Sequence, residues 1–193
     1  MTRTTETVPA EFFDALYRED PDPWDFATSD YERAKYAATL AALPSSRYRR
    51  GLEIGCSIGV LTRQLAGRCN ALLGVDLSEA ALAQARERCR DLDTVVLARM
   101  TIPRSLPNGR FDLIVISEVG YYWSRTDLAI MARFAAERLE RGGHLVLVHW
   151  IEGGADKPLD GNEVHDRFLA EPGLTALRDE NRDPYRLTVL QRS

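Results

Sequence analysis

From Glu11 onward apolar residues recur at helical spacing, Phe12, Phe13, Leu16 and Tyr17, until Asp20-Pro21-Asp22-Pro23 ends the run. A second amphipathic stretch starts at residue 29 or 30 and runs to 43, where Pro44 stops it. The two predict a helical cap over residues 10–44. Beyond it the period changes. Short runs that are apolar on both faces occupy 50–55, 71–76, 94–98, Phe111–Ser117 and 144–150. Helical stretches alternate with them at 59–67, after Ser78, and over about 127–139, the last expected to end at Arg141-Gly142-Gly143. Ser78 has the form of an N-cap, with Glu79 in the first turn behind it. Continuous apolar strands that alternate with helices predict a parallel sheet covered on both faces. Past residue 151 the rhythm differs again: a loop at Gly153-Gly154 and Pro158, a short helix over 161–170, and a hairpin of Leu174–Asn181 and 185–191 turning at Arg182-Asp183-Pro184. Two strands joined by so short a turn must be antiparallel. The expected fold is therefore α/β, a Rossmann-like doubly wound seven-stranded sheet, mostly parallel with one antiparallel C-terminal strand, plus the N-terminal helical cap. Residues 1–9 are polar and threonine-rich, and read as a frayed terminus.

At 193 residues and 45% hydrophobic content the chain suffices for one well-packed domain. The reading is a single domain over 1–193: cap at 10–44, cofactor-binding core at 50–150, helix and hairpin at 151–193. A formal net charge of −4 with interspersed signs gives no footprint for nucleic acid, and Arg47, Arg49 and Arg50 read as a solvated connector. No apolar run reaches the roughly 18 residues of a membrane span, and no basic-then-apolar leader opens the sequence, so a cytoplasmic protein without a membrane partner is expected. Cys56, Cys69 and Cys89 lack metal-ligand spacing and read as reduced, partly buried thiols, with no metal site.

The chemistry concentrates in residues 52–62, LEIGCSIGVLT. An apolar strand ends there beside an acid, Glu53, and glycines, Gly55 and Gly59; a second acid, Asp76, ends the next strand. Glycines at the first strand-to-helix turn admit a ligand close to the backbone, and an acid ending the second strand can accept both ribose hydroxyls. Ser57 stands where a dinucleotide fingerprint needs its middle glycine, and Glu53 adds negative charge where a phosphate would lie. S-adenosylmethionine has no phosphate and carries a sulfonium and an ammonium, which an acidic, glycine-lined turn favours.

At this point the chain resembles the class I S-adenosylmethionine-dependent methyltransferases. More closely, it resembles the nodulation protein S family of N-methyltransferases. The matching pieces are Asp20-Pro21-Asp22-Pro23-Trp24, Tyr31-Glu32 with Tyr36 and Thr39-Leu40, Leu52-Glu53-Ile54-Gly55-Cys56, and Phe111-Asp112-Leu113-Ile114-Val115 with Glu118-Val119 and Tyr121-Tyr122. The resemblance implies a cap folding over S-adenosylmethionine and an amine acceptor, such as an amino sugar. Many related folds place an acid for the adenine after the third strand; here Met100, Thr101 and Ile102 occupy that place. The expected cofactor residues are Trp24, Tyr31, Arg33, Glu53, Gly55, Gly59, Asp76, Leu77, Met100, Thr101, Ile102 and Ser117.

Methyl transfer needs an acceptor aligned opposite the sulfonium, and a base where an amine must arrive deprotonated. Such a base belongs at the carboxyl ends of the strands. His149, ending the fifth strand, reads as a general base, and Glu118, after the fourth, as an anchor or proton acceptor for the amine. Tyr122, with Tyr121 and Trp123, reads as an aromatic wall. Each also has a plain structural reading: a hydrogen-bonded core histidine, a turn-capping carboxylate, ordinary packing. His165 reads as surface or core, Asp112 as structural. The expected partner is a small-molecule acceptor. An O-methyltransferase of a small natural product, an NAD-dependent oxidoreductase and a noncatalytic cofactor-binding protein stay open.

Overall fold

The structure is a computed structural model and describes residues 4–154 and 156–193. Its described residues form seven strands, three before residue 108 and four after it. The chain divides into two compact units, Pro9–Pro107 and Asn108–Ser193, the second including residues 4–8.

In the first unit, α1 (Ala10–Glu19) buries Phe13 and Tyr17, and α2 (Asp30–Ala41) opens on Ser29, whose side chain accepts from the Glu32 amide at 3.4 Å. Between them Asp22 shapes the turn: its carboxylate accepts from the amides of Phe26 at 2.9 Å and Ala27 at 2.8 Å. Strands β1 (Gly51–Ile54), β2 (Leu72–Asp76) and β3 (Val95–Arg99) are all parallel, with Glu53 beside Gly74 and Asp76 beside Arg99. Helix α3 (Val60–Ala66) follows β1, and α4 (Glu79–Arg88) starts at the N-cap Ser78 as the sequence predicts. Strand β3 lies at the sheet edge and is only half-buried, with Val96 exposed, so its apolar run does not mark a core strand.

In the second unit, β4 (Phe111–Ser117) pairs parallel with β5 (Leu139–Trp150); β7 (Tyr185–Arg192) runs antiparallel to β5 and to β6 (Leu174–Asn181). Strand β7 is therefore the one reversed strand. Helix α5 (Arg125–Arg138) is capped by Ser124, and α6 (Gly161–Leu169) by a reciprocal box of Asp160 and Glu163. The structure departs from expectation at two further places. Helix α5 ends at Arg138, and β5 begins at once because buried Leu139 pairs with Phe111; the glycines that should have ended the helix sit in an irregularity before His144, with Gly142 at φ 74°. The segment before α1 is also anchored where described: the Val8 amide donates to the Tyr122 carbonyl at 2.9 Å, and Thr7 Oγ1 accepts from the Ser124 amide at 2.8 Å and donates to Asp127. Residues 1–3, part of the expected frayed terminus, lie outside the described residues. Among the described residues no helix is long and apolar enough to cross a membrane.

Candidate functional site

The glycine turn follows Ile54 with three left-handed residues, Gly55 at φ 77°, Ser57 at 49° and Gly59 at 80°. Gly59 is required twice over. Its φ is one that L side chains resist, and a Cβ there would come within 2.9 Å of the Ala85 Cβ on α4. Ser57 adopts its conformation without being glycine because both its polar groups are engaged: its amide donates to Asp76 Oδ2 at 2.9 Å, and its hydroxyl shares a hydrogen bond with the Tyr17 hydroxyl at 2.5 Å.

Asp76 ties the ends of β1 and β2 together, since its other oxygen accepts from the Ser78 amide at 2.9 Å. Burial pushes its carboxyl above the usual range, against the pull of the amides of Ser78, Ser57 and Leu77. Each carboxylate oxygen offers two acceptor sites, so these bonds leave capacity for ribose hydroxyls. Glu53 differs. It is 2% exposed, its Oε2 has no hydrogen-bond partner, and the same is true of Thr62 Oγ1 nearby. Burial raises its carboxyl to about 8, the Thr62 hydroxyl opposing and Asp76 adding to the rise. A buried acid with an unmatched oxygen is costly unless a donor arrives. A ligand ammonium is such a donor, so these residues fit the amino-acid end of S-adenosylmethionine as well as its ribose.

The cap candidates divide. Trp24 stacks on Phe26 at 5.5 Å between ring centroids and meets Tyr17 edge-on at 5.6 Å, and both pack against the cluster of Tyr17, Ile58 and Ala81. That brings Trp24 to the glycine turn. Tyr31 is half-buried on α2 with the Lys35 ammonium 5.1 Å from its ring, beside a buried Lys35–Glu32 ion pair. Arg33 is exposed on α2 and paired with Asp30. Of the adenine candidates, Met100 donates its amide to the Asp76 carbonyl at 2.9 Å, Ile102 is buried, and Thr101 is exposed. Leu77 is half-buried and accepts from Arg99 Nε at 2.9 Å through its carbonyl. Tyr17 was missed by sequence reasoning. Its helical spacing marks a core position, and nothing in that spacing reveals a hydroxyl that reaches the glycine turn.

In the second unit, Ser117 ends β4 half-buried, and Glu118 follows in the left-handed region at φ 57°. Glu118 Oε2 accepts from the Tyr121 hydroxyl at 2.6 Å and from the Trp150 amide at 3.0 Å, so this carboxylate holds its own turn. A 3-10 turn, Gly120–Tyr122, comes next. Tyr121, Tyr122 and Trp123 are all buried, Tyr121 and Tyr122 edge to face at 4.8 Å. The Lys157 ammonium lies 4.4 Å from the Tyr121 ring centre. Burial, with Asp156 and Glu118 nearby, pushes the Tyr122 phenol up, which disfavours it as a proton acceptor.

His149 does not fit the general-base reading. It is completely buried, its Nε2 accepts from the Gly120 amide at 3.1 Å, and its Nδ1 lies 3.1 Å from His165 Nε2. Both ring nitrogens are engaged inside the protein, and neither can take a proton from an acceptor. His165 is likewise fully buried, not a surface residue.

Comparison with known proteins follows the same lines. The profile of the family described as Nodulation protein S (NodS) matches residues 9–141. Nodulation protein S of Rhizobium tropici is 33% identical over 130 residues, 65% of this chain and 53% of that protein. Its counterpart from Bradyrhizobium diazoefficiens is 34% identical over 102 residues, 52% of this chain and 49% of that protein. The chain thus spans about half the length of these curated relatives. The crystal structure of N-methyltransferase NodS from Bradyrhizobium japonicum WM9, in complex with S-adenosyl-L-homocysteine, superposes with a TM-score of 0.83 at 26% identity, covering 92% of this chain and 96% of that one. With a family profile matched from Pro9 through the glycine turn to Arg141, and with that neighbour's fold, the chain belongs to the nodulation protein S family.

Proposed function

We propose that the chain is an S-adenosylmethionine-dependent methyltransferase, one domain over its 193 residues, acting in the cytoplasm on a small polar acceptor. The acceptor atom is the amine of an amino sugar or a similar metabolite. The observation that carries this reading is the unpaired Oε2 of buried Glu53 beside the glycine turn. A nicotinamide dinucleotide would bring a pyrophosphate to that place and no cation. The neighbour described as an N-methyltransferase and solved with S-adenosylhomocysteine supports both cofactor and acceptor class.

The bound cofactor supplies an electrophilic methyl group. The chain's own residues bind and orient. Glu53 takes the ammonium, Asp76 the ribose hydroxyls, and Gly55 and Gly59 let the backbone close in. Trp24 covers the turn, Tyr31 completes the cap, and Met100 and Ile102 pack on the adenine. On the acceptor side Glu118, by accepting from the Tyr121 hydroxyl and the Trp150 amide, shapes the turn that faces the acceptor, with Tyr122 and Ser117 beside it in sequence. Positioning of this kind is worth about 7 to 11 kcal/mol in well-aligned reactions, so no protein nucleophile is needed.

Calorimetric titration with S-adenosylhomocysteine, with NAD in parallel, tests the cofactor. Micromolar binding of the former alone is expected; preference for NAD overturns the reading. Release of S-adenosylhomocysteine on addition of glucosamine or its oligomers, with an N-methylated product by mass spectrometry, tests the acceptor; an O-methylated product would refute the amine.

A further inference from the structure

Behind the turn that carries Glu118, Tyr121 and Tyr122 lies a chain of polar groups that the cofactor and acceptor reading leaves unused. It takes one residue from each of four elements: His149 of β5, His165 of α6, Thr188 of β7 and Asp179 of β6. His149, His165 and Thr188 are completely buried. His165 Nδ1 lies 2.5 Å from Thr188 Oγ1, which donates to Asp179 Oδ1 at 2.7 Å. Asp179 is held in turn by Arg186, through Nε at 2.8 Å and Nη2 at 2.7 Å, and Arg186 also reaches Asp166 at 2.8 Å.

The direction of every proton follows from one end. A backbone amide can only donate, so the His149 Nε2 that faces Gly120 must be the acceptor. His149 then carries its proton on Nδ1 and donates to His165 Nε2. His165 must carry its own on Nδ1 and donate to Thr188, whose hydroxyl proton goes to Asp179. Both imidazoles are neutral and in the Nδ1–H form, the less populated one in free histidine. Burial, with His149 and Arg186 as neighbours, keeps His165 well below the usual histidine range, in keeping with a neutral ring. The packing is as confined as the bonding. A Cβ on Gly120 would lie 2.6 Å from Val164 Cγ1 and 2.9 Å from His149 Nε2. The turn is wedged against α6 and β5 and has one place to go.

We infer that His165, backed by Thr188, is a positioning residue for this turn: it fixes the tautomer of His149, and His149 in that tautomer pins Gly120. Its bearing on catalysis rests on the acceptor-side reading of Glu118 and Tyr122. A core of apolar residues could fill the same volume, but only a satisfied polar chain discriminates between two orientations of a backbone amide.

Long-range ¹H–¹⁵N spectra of the histidine rings of the wild-type protein should show both His149 and His165 as neutral Nδ1–H tautomers at pH 7. His165→Leu removes the acceptor for His149, whereas His165→Gln restores one through its side-chain carbonyl. Amide exchange at Gly120 should accelerate about tenfold in His165→Leu and stay within about twofold of wild type in His165→Gln. Thr188→Val, which leaves His165 without a partner for its Nδ1 proton, should accelerate Gly120 in the same direction, and it serves where the leucine variant does not fold. An Nε2–H tautomer for His149 in the wild type, equal exchange in the leucine and glutamine variants, or unchanged exchange in Thr188→Val would each overturn the assignment. Failure of wild-type protein to bind S-adenosylhomocysteine would instead sink the cofactor reading and leave these spectra unaltered.

Discussion

Two strand ends in this chain look alike and behave in opposite ways. After β1 and after β4 the backbone enters the left-handed region at a residue that is not glycine, Ser57 at φ 49° and Glu118 at φ 57°. Each turn has a carboxylate close by and a tyrosine hydroxyl bonded into it, Tyr17 to Ser57 and Tyr121 to Glu118. At the second turn Glu118 Oε2 already satisfies a phenol and a backbone amide. At the first, Glu53 Oε2 has no hydrogen-bond partner of good geometry, only the Thr62 hydroxyl nearby. A buried acceptor with partners supports the scaffold; one without them is a cost to the free protein that a ligand can recover. The same residue type therefore points to binding in one turn and to architecture in the other.

The largest effects that test this contrast come from the two acids. Glu53→Gln should weaken S-adenosylhomocysteine binding by about 1.5–3 kcal/mol, read by calorimetry, while leaving the free protein at least as stable at alkaline pH. Glu118→Ala should do the reverse, lowering stability by about 1–3 kcal/mol in denaturant unfolding because the Tyr121 hydroxyl and Trp150 amide lose their acceptor. Matching losses of affinity and stability in both variants would erase the distinction. Asp76→Ala should cost about 1.5–3 kcal/mol of affinity and some stability as well, since it removes the acceptor for two backbone amides.

Acidity offers a second cut. The folded value for Glu53 is about 8 against an ordinary 4.5, so between these the folded state holds the extra proton. Its contribution is then fully present below about 4.5 and is lost as pH rises towards 8. His165 works the other way. Its folded value lies well below 6.5, so the unfolded chain takes up the proton first, and stability is lost as pH falls below 6.5. Unfolding measured from pH 5 to 9 should show the alkaline decline flattened in Glu53→Gln and the acidic decline flattened in His165→Gln.

The smallest effects are expected from the two phenols. Tyr17→Phe and Tyr121→Phe should each cost about 1 kcal/mol of stability, but only Tyr17→Phe, which frees Ser57, should shift S-adenosylhomocysteine affinity. Equal affinities for the two variants would mean that Ser57 does not need its phenol partner.

The alternation of apolar runs with helices was enough to foresee the order of elements and the final reversed strand, because burial on both faces leaves a period that sequence displays directly. What escaped depends on side-chain reach. Leu139 reads as the end of a helix until its pairing with Phe111 is seen. His149 reads as a base at a strand end, and only the Gly120 amide on one nitrogen and His165 on the other remove it from that role. Tyr17 escaped for the same reason: a phenol on the buried face of a helix is silent in sequence. The glycine turn was the most legible part of the site, since Gly55, Gly59, Glu53 and Asp76 are there for backbone space and charge, and both are written in residue type.

The chain's three cysteines, Cys56, Cys69 and Cys89, are all buried thiols outside any disulfide, and all lie in the unit Pro9–Pro107; its three histidines all lie in the other. Burial raises the Cys56 and Cys89 thiols above their ordinary value, which suppresses the reactive thiolate until that unit opens. Alkylation by a maleimide is thereby a native clock for one half of the molecule, and imidazole resonances are a clock for the other. Without any engineered label, the two can be timed against each other to learn whether the halves come apart together or in turn.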